Sequence, residues 1–108
     1  MDIAIISEHA SPLCALGGKD AGGQNVYVAQ LARHLARFGH RVEVFTRREK
    51  NDGPVIQDLS EGFRLVNVPA GPAESIPKEK LLDFMEDFTD FMVDYFNNRQ
   101  RSFDVIHA

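Results

Sequence analysis

The sequence predicts an α/β fold with a mostly parallel sheet and flanking helices, on three observations. Short apolar stretches of strand length alternate with longer stretches whose apolar residues recur at helical spacing. The first apolar stretch, Ile3–Ile6, is apolar at successive positions, as in a parallel strand buried on both faces. The β-α-β order of the first half favours a crossover connection, and therefore parallel pairing of its two strands.

Length and composition limit the class of protein. The 108 residues suffice for one domain with a modest core, and 44% hydrophobic with 26% charged residues is typical of a soluble globular protein. A net charge of −4 gives no reason to expect general affinity for nucleic acid. Ile3–Ile6 is too short for a signal peptide, and no run reaches the length of a membrane span. Because Cys14 is the only cysteine, no internal disulfide forms, and we expect a cytoplasmic, reducing location.

The first half of the chain contains one strand–helix–strand unit. The first strand should span Asp2–Ser7, and the connection after it, residues 8–22, exceeds the about 2–6 residues of an ordinary βα loop, which indicates a functional loop. The first helix is expected to begin at Gly22 or Gly23 and to end at Phe38, before a left-handed Gly39. Arg41–Thr46, with its β-branched and aromatic residues, should form the second strand.

The second half continues this alternation. Short strands are expected at Val55-Ile56 and Phe63–Val68, and residues 70–77, which include glycine and proline, should form a loop. A helix is expected over Lys78–Asn98, because one face is apolar at helical spacing. A coiled coil is the alternative, but fewer than three heptads favour an amphipathic core helix. The chain ends inside a predicted strand, Phe103–Ala108, so that we expect it to be a piece of a longer protein.

The stretch Asp20–Asn25 lies at the predicted start of the first helix. Gly22 and Gly23 lack Cβ atoms, so that a ligand can approach their backbone closely. The first amides of a helix have no intrahelical partner, and with the helix dipole they favour an anion such as phosphate. A flexible loop with a glycine at the helix cap explains the same residues equally well. The stretch is neither a Walker A loop, since Gln24 follows the glycines, nor a G-x-G-x-x-G dinucleotide pattern.

Several runs of residues carry a resemblance to a known family. They are Asp20-Ala21-Gly22-Gly23-Gln24-Asn25-Val26-Tyr27-Val28, Leu31-Ala32-Arg33-His34-Leu35-Ala36, Gly39-His40-Arg41-Val42-Glu43-Val44-Phe45-Thr46-Arg47, Pro69-Ala70-Gly71-Pro72, Lys78 and Asp104-Val105-Ile106-His107-Ala108. Together they resemble the N-terminal domain of retaining nucleotide-sugar glycosyltransferases of the GT4 type. Similar subgroups are sucrose synthases, sucrose-phosphate synthases and inositol-phosphate N-acetylglucosaminyltransferases.

The resemblance implies the GT-B architecture, in which two Rossmann-like domains face each other across a cleft. Residues 1–108 would then form part of the N-terminal, acceptor-side domain, without the C-terminal domain that holds most of the nucleotide sugar. The whole enzyme would move a sugar from a nucleoside diphosphate sugar, expected to be UDP-linked, to a sugar, polyol or sugar-phosphate acceptor, without a further cofactor. None of the family's catalytic residues falls within this chain, so that we expect the isolated chain to be inactive. We also expect the last strand of the isolated chain to leave an unpaired sheet edge, which favours self-association.

The resemblance also implies a substrate-binding site in the first half of the chain. Gly22 and Gly23 would approach the donor diphosphate or the acceptor phosphate. Gln24 and Asn25 would bind acceptor hydroxyl groups or phosphate, and His9 would face the acceptor pocket. These four positions of the glycine stretch and His9 are the candidates from the first β-α unit.

A sixth candidate, Lys78, lies at the start of the second predicted helix and matches a lysine that some relatives use on an acceptor phosphate. Without the resemblance, a solvated surface lysine explains it equally well. Arg47 and Arg48 follow the second strand and could flank the cleft, but a solvated pair is the simpler interpretation. Tyr27 is expected to pack against the first helix's neighbours. No His, Cys and Asp residues have metal-ligand spacing, so that we predict no protein-bound metal.

A module of a different class is the alternative: a non-catalytic Rossmann-like domain that binds phosphate or a nucleotide. A second Rossmann-like half with a Glu-x₇-Glu pattern downstream would favour the transferase, and its absence would favour the binding module. In either case the expected partners are small molecules, a nucleotide sugar and a sugar or sugar-phosphate acceptor for the transferase. Neither nucleic acid nor stable membrane insertion is expected.

Overall fold

The computed structural model describes residues 1–7, 23–49, 54–74, 76 and 78–108, and for residues 23–26 and Lys78 it describes the backbone alone. Within these residues the strands are β1 Asp2–Ile6, β2 Arg41–Arg47, β3 Ile56–Ser60, β4 Phe63–Val68 and β5 Val105–His107. The helices are α1 Gly23–Arg37 and α2 Met85–Asn98, and a 3-10 helix, Lys78–Phe84, leads directly into α2.

The strands form one sheet in the order β3-β4-β2-β1-β5. β1 pairs in parallel with β2 and with β5, and β2 pairs in parallel with β4. Ile3 of β1 thus lies between Val42 of β2 and Val105 of β5. β3 forms an antiparallel hairpin with β4 and occupies one edge. The mostly parallel, Rossmann-like sheet with flanking helices that the sequence predicted is therefore confirmed.

Helix α1 covers one face of the sheet. Its buried Val28 and Ala32 pack against the side chains that point to this face: Ile3, Ile5, Val42, Val44, Phe63 and Leu65. Gly39 has a φ of 91°, which confirms the predicted left-handed residue after the helix. The short connection through His40 then places Arg41 at the beginning of β2.

Helix α2 covers the opposite face, where Phe45 of β2 lies at the centre of an aromatic cluster. Its ring contacts Tyr95, Phe96 and Phe103 edge-on, with centroid distances of 5.2, 5.6 and 6.0 Å. Phe88 is buried beside Ala4 and Val66 of the sheet. The apolar face of the second predicted helix is therefore core, as expected.

Three details differ from the sequence expectations. β3 continues to Ser60, because its residues pair with β4 through a hairpin whose turn contains Gly62 at a φ of 81°. The second helix begins as a 3-10 helix, whose tighter winding buries Leu81 and leaves Leu82 exposed. Tyr27 is 55% exposed, so that the expected packing role is wrong: the buried stripe of α1 runs through Val28 and Ala32, and Tyr27 lies beside it.

Candidate functional site

The carboxyl ends of β1, β2, β4 and β5 lie at one edge of the sheet, because these strands are parallel. We call this the carboxyl edge and the opposite one the amino edge. From β1 the chain continues to β2, its neighbour on one side in the sheet. It later returns from β4 to β5, which is the neighbour of β1 on the other side. The order of connections therefore reverses between β1 and β5. Open α/β sheets bind ligands outside the carboxyl ends of their strands at such a switch point.

Helix α1 begins at the carboxyl edge. Its other end lies at the amino edge, where a Cβ atom on Gly62 would lie 3.5 Å from Cβ of Ala36 and 2.9 Å from the carbonyl oxygen of His40. The 15 residues of α1 span about 22 Å, and the seven residues of β2 span about 23 Å, so that the two elements match in length. Gly23 and the free amides of the first helical turn are therefore at the carboxyl edge.

The second helical segment also begins at the carboxyl edge, on the other face of the sheet. Arg99, directly after α2, donates from Nη2 to Oδ2 of Asp2 at 2.9 Å, and Asp2 begins β1 at the amino edge. The segment that starts at Lys78 thus runs from the carboxyl edge to the amino edge. Lys78 and Gly23 begin helices on opposite faces of the sheet at the same edge.

Four of the six predicted substrate-binding positions have a described backbone. Gly23 is the first residue of α1, Gln24 and Asn25 follow it in the first turn, and Lys78 is the first residue of the 3-10 helix. The backbone places these four at the carboxyl edge, and their contacts with a ligand stay predictions. His9 and Gly22 lie outside the described residues.

Arg47, the last residue of β2, is buried at the carboxyl edge with 3% of its surface exposed, so that its interpretation as half of a solvated pair is wrong. Nη1 donates to the main-chain carbonyl of Glu74 with an N···O distance of 2.9 Å, and Nη2 donates to the carbonyl of Pro72. The guanidinium carbon lies 5.8 Å from the centroid of the Phe84 ring. No carboxylate within the described parts of the chain forms a salt bridge with it.

Burial lowers the pKa of Arg47 from its ordinary value, and the nearby charges of Glu49 and Glu74 act in the opposite direction. The group stays a cation, because arginine is not deprotonated in proteins. In the described portion of the chain, the Nε atoms of Arg47 and Arg48 are buried without a hydrogen-bond partner. The carboxyl edge therefore holds buried positive charge that is stabilised mainly by main-chain carbonyls.

The residues that Arg47 contacts belong to a short stretch after β4, residues 70–74, which we call the 70–74 segment. Ala70 is fully buried, and Gly71 has a φ of 76°. A Cβ atom on Gly71 would lie between 2.6 and 2.9 Å from three atoms of the Phe84 ring. The segment is thus packed between the end of β2 and the end of the 3-10 helix, and only glycine fits at position 71 without movement.

Sequence reasoning missed the burial of Arg47, although a signal was present. Alternate residues of a strand point to the same face, so that Arg47 shares a face with Glu43 and Phe45. Phe45 is core, and this makes the α2 face of β2 a buried one. What the sequence does not contain is the path of the 70–74 segment across the end of β2, and that path decides whether Arg47 is covered.

A second arginine, largely buried with 14% of its side chain exposed, lies at the amino edge. Arg99 donates from Nη2 to Asp2, and its Nε donates to Oε2 of Glu43 at 2.7 Å. The hydroxyl of Tyr95 donates to Oε1 of Glu43. The guanidinium carbon lies 4.0 Å from the centroid of the Phe103 ring. Because these groups pair with one another and lie away from the switch point, we assign the cluster to holding α2 on the sheet.

The cluster shifts the pKa values of its members. Burial by itself would raise the pKa of the Asp2 carboxyl, but the hydrogen bond and charge of Arg99 outweigh this and lower the pKa below its ordinary value of 3.8. Burial and the hydrogen bond to Glu43 raise the pKa of the Tyr95 hydroxyl above its ordinary value of 10.0. Both groups therefore keep, at neutral pH, the protonation states that the cluster requires.

Among the described residues, no three His, Cys, Asp or Glu side chains come together as they would around a metal ion. His9, Cys14 and Asp20 lie outside them, so that the predicted lack of a protein-bound metal stays a prediction. No helix in the described ranges is long and apolar enough to cross a membrane.

Comparison with known proteins gives the same family from sequence and from structure. The family described as "Glycosyl transferase 4-like domain" matches residues 22–108. The D-inositol 3-phosphate glycosyltransferase of Corynebacterium aurimucosum is 42% identical over 108 residues, which are 100% of this chain and 26% of the relative. The protein of the same name from Acidothermus cellulolyticus is 45% identical over 98% of this chain and 24% of its own length.

A solved structure extends the comparison to three dimensions. Sucrose-phosphate synthase from Thermosynechococcus elongatus superimposes with a TM-score of 0.81 at 29% identity, and the match covers 99% of this chain and 32% of that protein. The chain thus spans about a quarter to a third of the length of the proteins that it matches.

Proposed function

This chain belongs to the glycosyl transferase 4-like family, and from that premise we propose that it is the acceptor-side wall of a retaining glycosyltransferase. The whole protein would transfer a sugar from a nucleoside diphosphate sugar to a sugar, polyol or sugar-phosphate acceptor. The catalytic groups would lie outside these residues, and the isolated chain would be inactive, because donor and acceptor must be held in register by both walls of a cleft.

The observation that carries this proposal is the common location of two candidate phosphate-binding groups. Gly23 begins α1 and Lys78 begins the 3-10 helix, and both lie at the carboxyl edge, where open α/β sheets bind ligands. Free amides and a helix dipole favour an anion from one face of the sheet. An ammonium group approaching from the other face would add a charge-assisted hydrogen bond.

We propose a phosphorylated polyol or sugar as the acceptor. The names of the relatives support this choice, since one group is called D-inositol 3-phosphate glycosyltransferases and the structural neighbour is a sucrose-phosphate synthase. Lys78 would bind the acceptor phosphate, and Gln24, Asn25 and His9 would contact its hydroxyl groups. The amides at Gly22 and Gly23 would approach the acceptor phosphate or the donor diphosphate, which we propose is UDP-linked. Stabilising the departing diphosphate by such groups is the main electrostatic requirement of the reaction.

The test uses the full-length polypeptide that carries this sequence. UDP-sugars are offered with D-inositol 3-phosphate or hexose phosphates, each beside its unphosphorylated counterpart, and sugar transfer is measured by product mass. We expect transfer that favours one phosphorylated acceptor. Binding of nucleotide or phosphate without any transfer would replace the proposal with the non-catalytic binding module. Equal use of phosphorylated and unphosphorylated acceptors would remove the phosphate from the proposed site.

A further inference from the structure

We propose that Arg47 is a positioning residue for Lys78. Its buried guanidinium fixes the 70–74 segment to the end of β2, and the segment in turn fixes the 3-10 helix that Lys78 begins. The inference rests on the proposed function, because it takes Lys78 as the group that binds the acceptor phosphate. It assigns to Arg47 an effect on acceptor binding without any contact between Arg47 and the acceptor.

Arg47 donates to main-chain carbonyls of the 70–74 segment and not to a carboxylate. Burying a guanidinium without a carboxylate is unfavourable unless its donors are satisfied, and here two of them serve main-chain carbonyls of Pro72 and Glu74. The Pro72 carbonyl also accepts from the amide of Glu74 at 2.9 Å, so that the stretch closes a turn of its own. Arg47 donates from β2 to the carbonyls at both ends of this turn, and it thereby ties the turn to the sheet.

The 70–74 segment also contacts the 3-10 helix. Gly71 lies against the Phe84 ring so closely that a Cβ atom at this position would approach the ring to 2.6 Å. The guanidinium carbon of Arg47 lies over the same Phe84 ring, 5.8 Å from its centroid. The sheet, the segment and the end of the 3-10 helix therefore form one packed unit around two side chains, Arg47 and Phe84.

A single 3-10 helix joins Phe84 to Lys78. They are the last and the first residue of the same 3-10 helix, and a helix of this kind rises about 2.0 Å per residue, so that about 12 Å of regular backbone separates them. A displacement of Phe84 is carried along this short helix to Lys78. Arg47 itself is 3% exposed and its two terminal nitrogens are engaged, which leaves it a positioning group and not a ligand.

The experiment compares three arginine-to-methionine variants in the full-length polypeptide. Arg47→Met removes the guanidinium group that donates to the carbonyls of Pro72 and Glu74 at the carboxyl edge. Arg99→Met removes the other buried arginine, which lies at the amino edge, and Arg64→Met removes an exposed arginine that pairs with Asp58 at 2.8 Å. Each variant is assayed for KM and kcat with the phosphorylated acceptor that the wild-type protein uses, with its unphosphorylated counterpart, and for KM of the nucleotide sugar.

For Arg47→Met we expect KM of the phosphorylated acceptor to rise about tenfold, because misplacement of a binding group by a fraction of an ångström has effects of this order or larger. KM of the unphosphorylated acceptor and of the nucleotide sugar should change little. Arg99→Met and Arg64→Met should leave the preference for the phosphorylated acceptor intact. Phe84→Leu, which keeps Arg47 but loosens the contact with Gly71, should reproduce the selective rise if Arg47→Met fails to fold.

Amide hydrogen exchange, measured without ligand, tests independently of the proposed function whether Arg47 fixes the 70–74 segment and the 3-10 helix. Arg47→Met should speed exchange within residues 70–84, whereas Arg64→Met should not. Unchanged exchange in residues 70–84 would overturn the inference even if transfer is confirmed. A wild-type protein that prefers the phosphorylated acceptor, with an Arg47→Met variant that keeps this preference, would overturn it as well. If the wild-type protein transfers no sugar, the proposed function fails, and the positioning role for acceptor binding fails with it whatever the exchange rates are.

Discussion

The two edges of the sheet each hold an arginine largely shielded from solvent, but the partners of the two guanidinium groups differ. At the amino edge, Arg99 lies between the carboxylates of Asp2 and Glu43, and all three residues belong to strands or to the end of a helix. At the carboxyl edge, Arg47 lies against two carbonyl groups of an irregular segment and the face of Phe84. Arg47 is buried and Arg99 is largely so, yet only Arg99 has carboxylate partners among the described residues.

This difference separates a structural cluster from a site. At the amino edge, both carboxylate partners of the Arg99 cation belong to strands and Arg99 directly follows α2, so that the ion pairs hold these elements together. A cation satisfied by carbonyl dipoles keeps its net charge, and here it lies at the edge where two helices begin and where the family resemblance implies phosphate groups. Substitutions at the amino edge should therefore change stability alone, whereas substitutions at the carboxyl edge should also change binding.

The largest expected effect is at the amino edge. Arg99→Met leaves Glu43 buried without its counter-ion and Asp2 with only the exposed Arg41 at 3.9 Å, and breaking such a buried pair lowers the free energy of unfolding by about 3–5 kcal/mol. Urea unfolding of the isolated chain measures this. The comparison variant Arg64→Met removes an exposed ion pair with Asp58 and an interaction with the Tyr95 hydroxyl but no buried counter-ion, and it should cost less than about 1 kcal/mol. Similar losses in both variants would contradict the role of the cluster in holding α2.

The next effect tests the packing at the carboxyl edge. Gly71→Ala places a Cβ atom on the Phe84 ring in a left-handed backbone conformation, and overpacking of this kind lowers stability by about 1–3 kcal/mol. Gly39→Ala is the matched control, because Gly39 also has a positive φ but no atom within 4 Å of the added Cβ. A melting temperature that falls equally in the two variants would assign the whole loss to backbone strain and none to Phe84.

A third effect distinguishes the two phosphate candidates at the carboxyl edge. Lys78→Ala should weaken the phosphorylated acceptor about tenfold, or about 1.4 kcal/mol, and leave its unphosphorylated analogue unchanged. Gly23→Ala should reduce affinity for a sugar phosphate or nucleotide sugar about tenfold with nearly normal melting if the glycine lets a phosphate approach. Isothermal titration and thermal melting in the full-length polypeptide measure both. Loss of about 1 kcal/mol of stability at normal affinity would make Gly23 a structural glycine.

The smallest effect is the pH dependence of the amino edge. The folded-state pKa of Asp2 lies below its ordinary value of 3.8, so that its contribution to stability is complete above pH 3.8 and is lost as pH falls through the folded pKa. Asp2→Asn should therefore flatten the fall of unfolding free energy below pH 3.8 relative to wild type. Urea unfolding at a series of pH values measures the difference, and the wild-type profile should be the steeper of the two below pH 3.8. Parallel pH profiles of the two proteins would contradict the assignment of this titration to Asp2.

The sequence predicted the elements of this fold well because their signals are local. Apolar periodicity, a glycine after α1 and β-branched runs are enough to place β1, α1, β2 and β4. The buried arginines were missed because their partners lie far along the chain: Arg47 depends on residues 25 and 27 positions later, and Arg99 on residues 56 and 97 positions earlier. Local patterns contain no information on such pairings. That Lys78 and Gly23 share the carboxyl edge likewise follows from the order and direction of the strands.

The position of β5 has a consequence for the order of folding. β1 and β5 are neighbours in the sheet, with Ile3 paired to Val105, and the amide of Asp2 donates to the carboxylate of Asp104, 102 residues away. The β3–β4 hairpin, in contrast, closes over a two-residue turn. Because closing a long loop costs more chain entropy, the hairpin should form early and β5 should dock last. In pulse-labelling hydrogen exchange during refolding, amides of β4 should be protected before those of β5, and simultaneous protection would show that the sheet forms in one step.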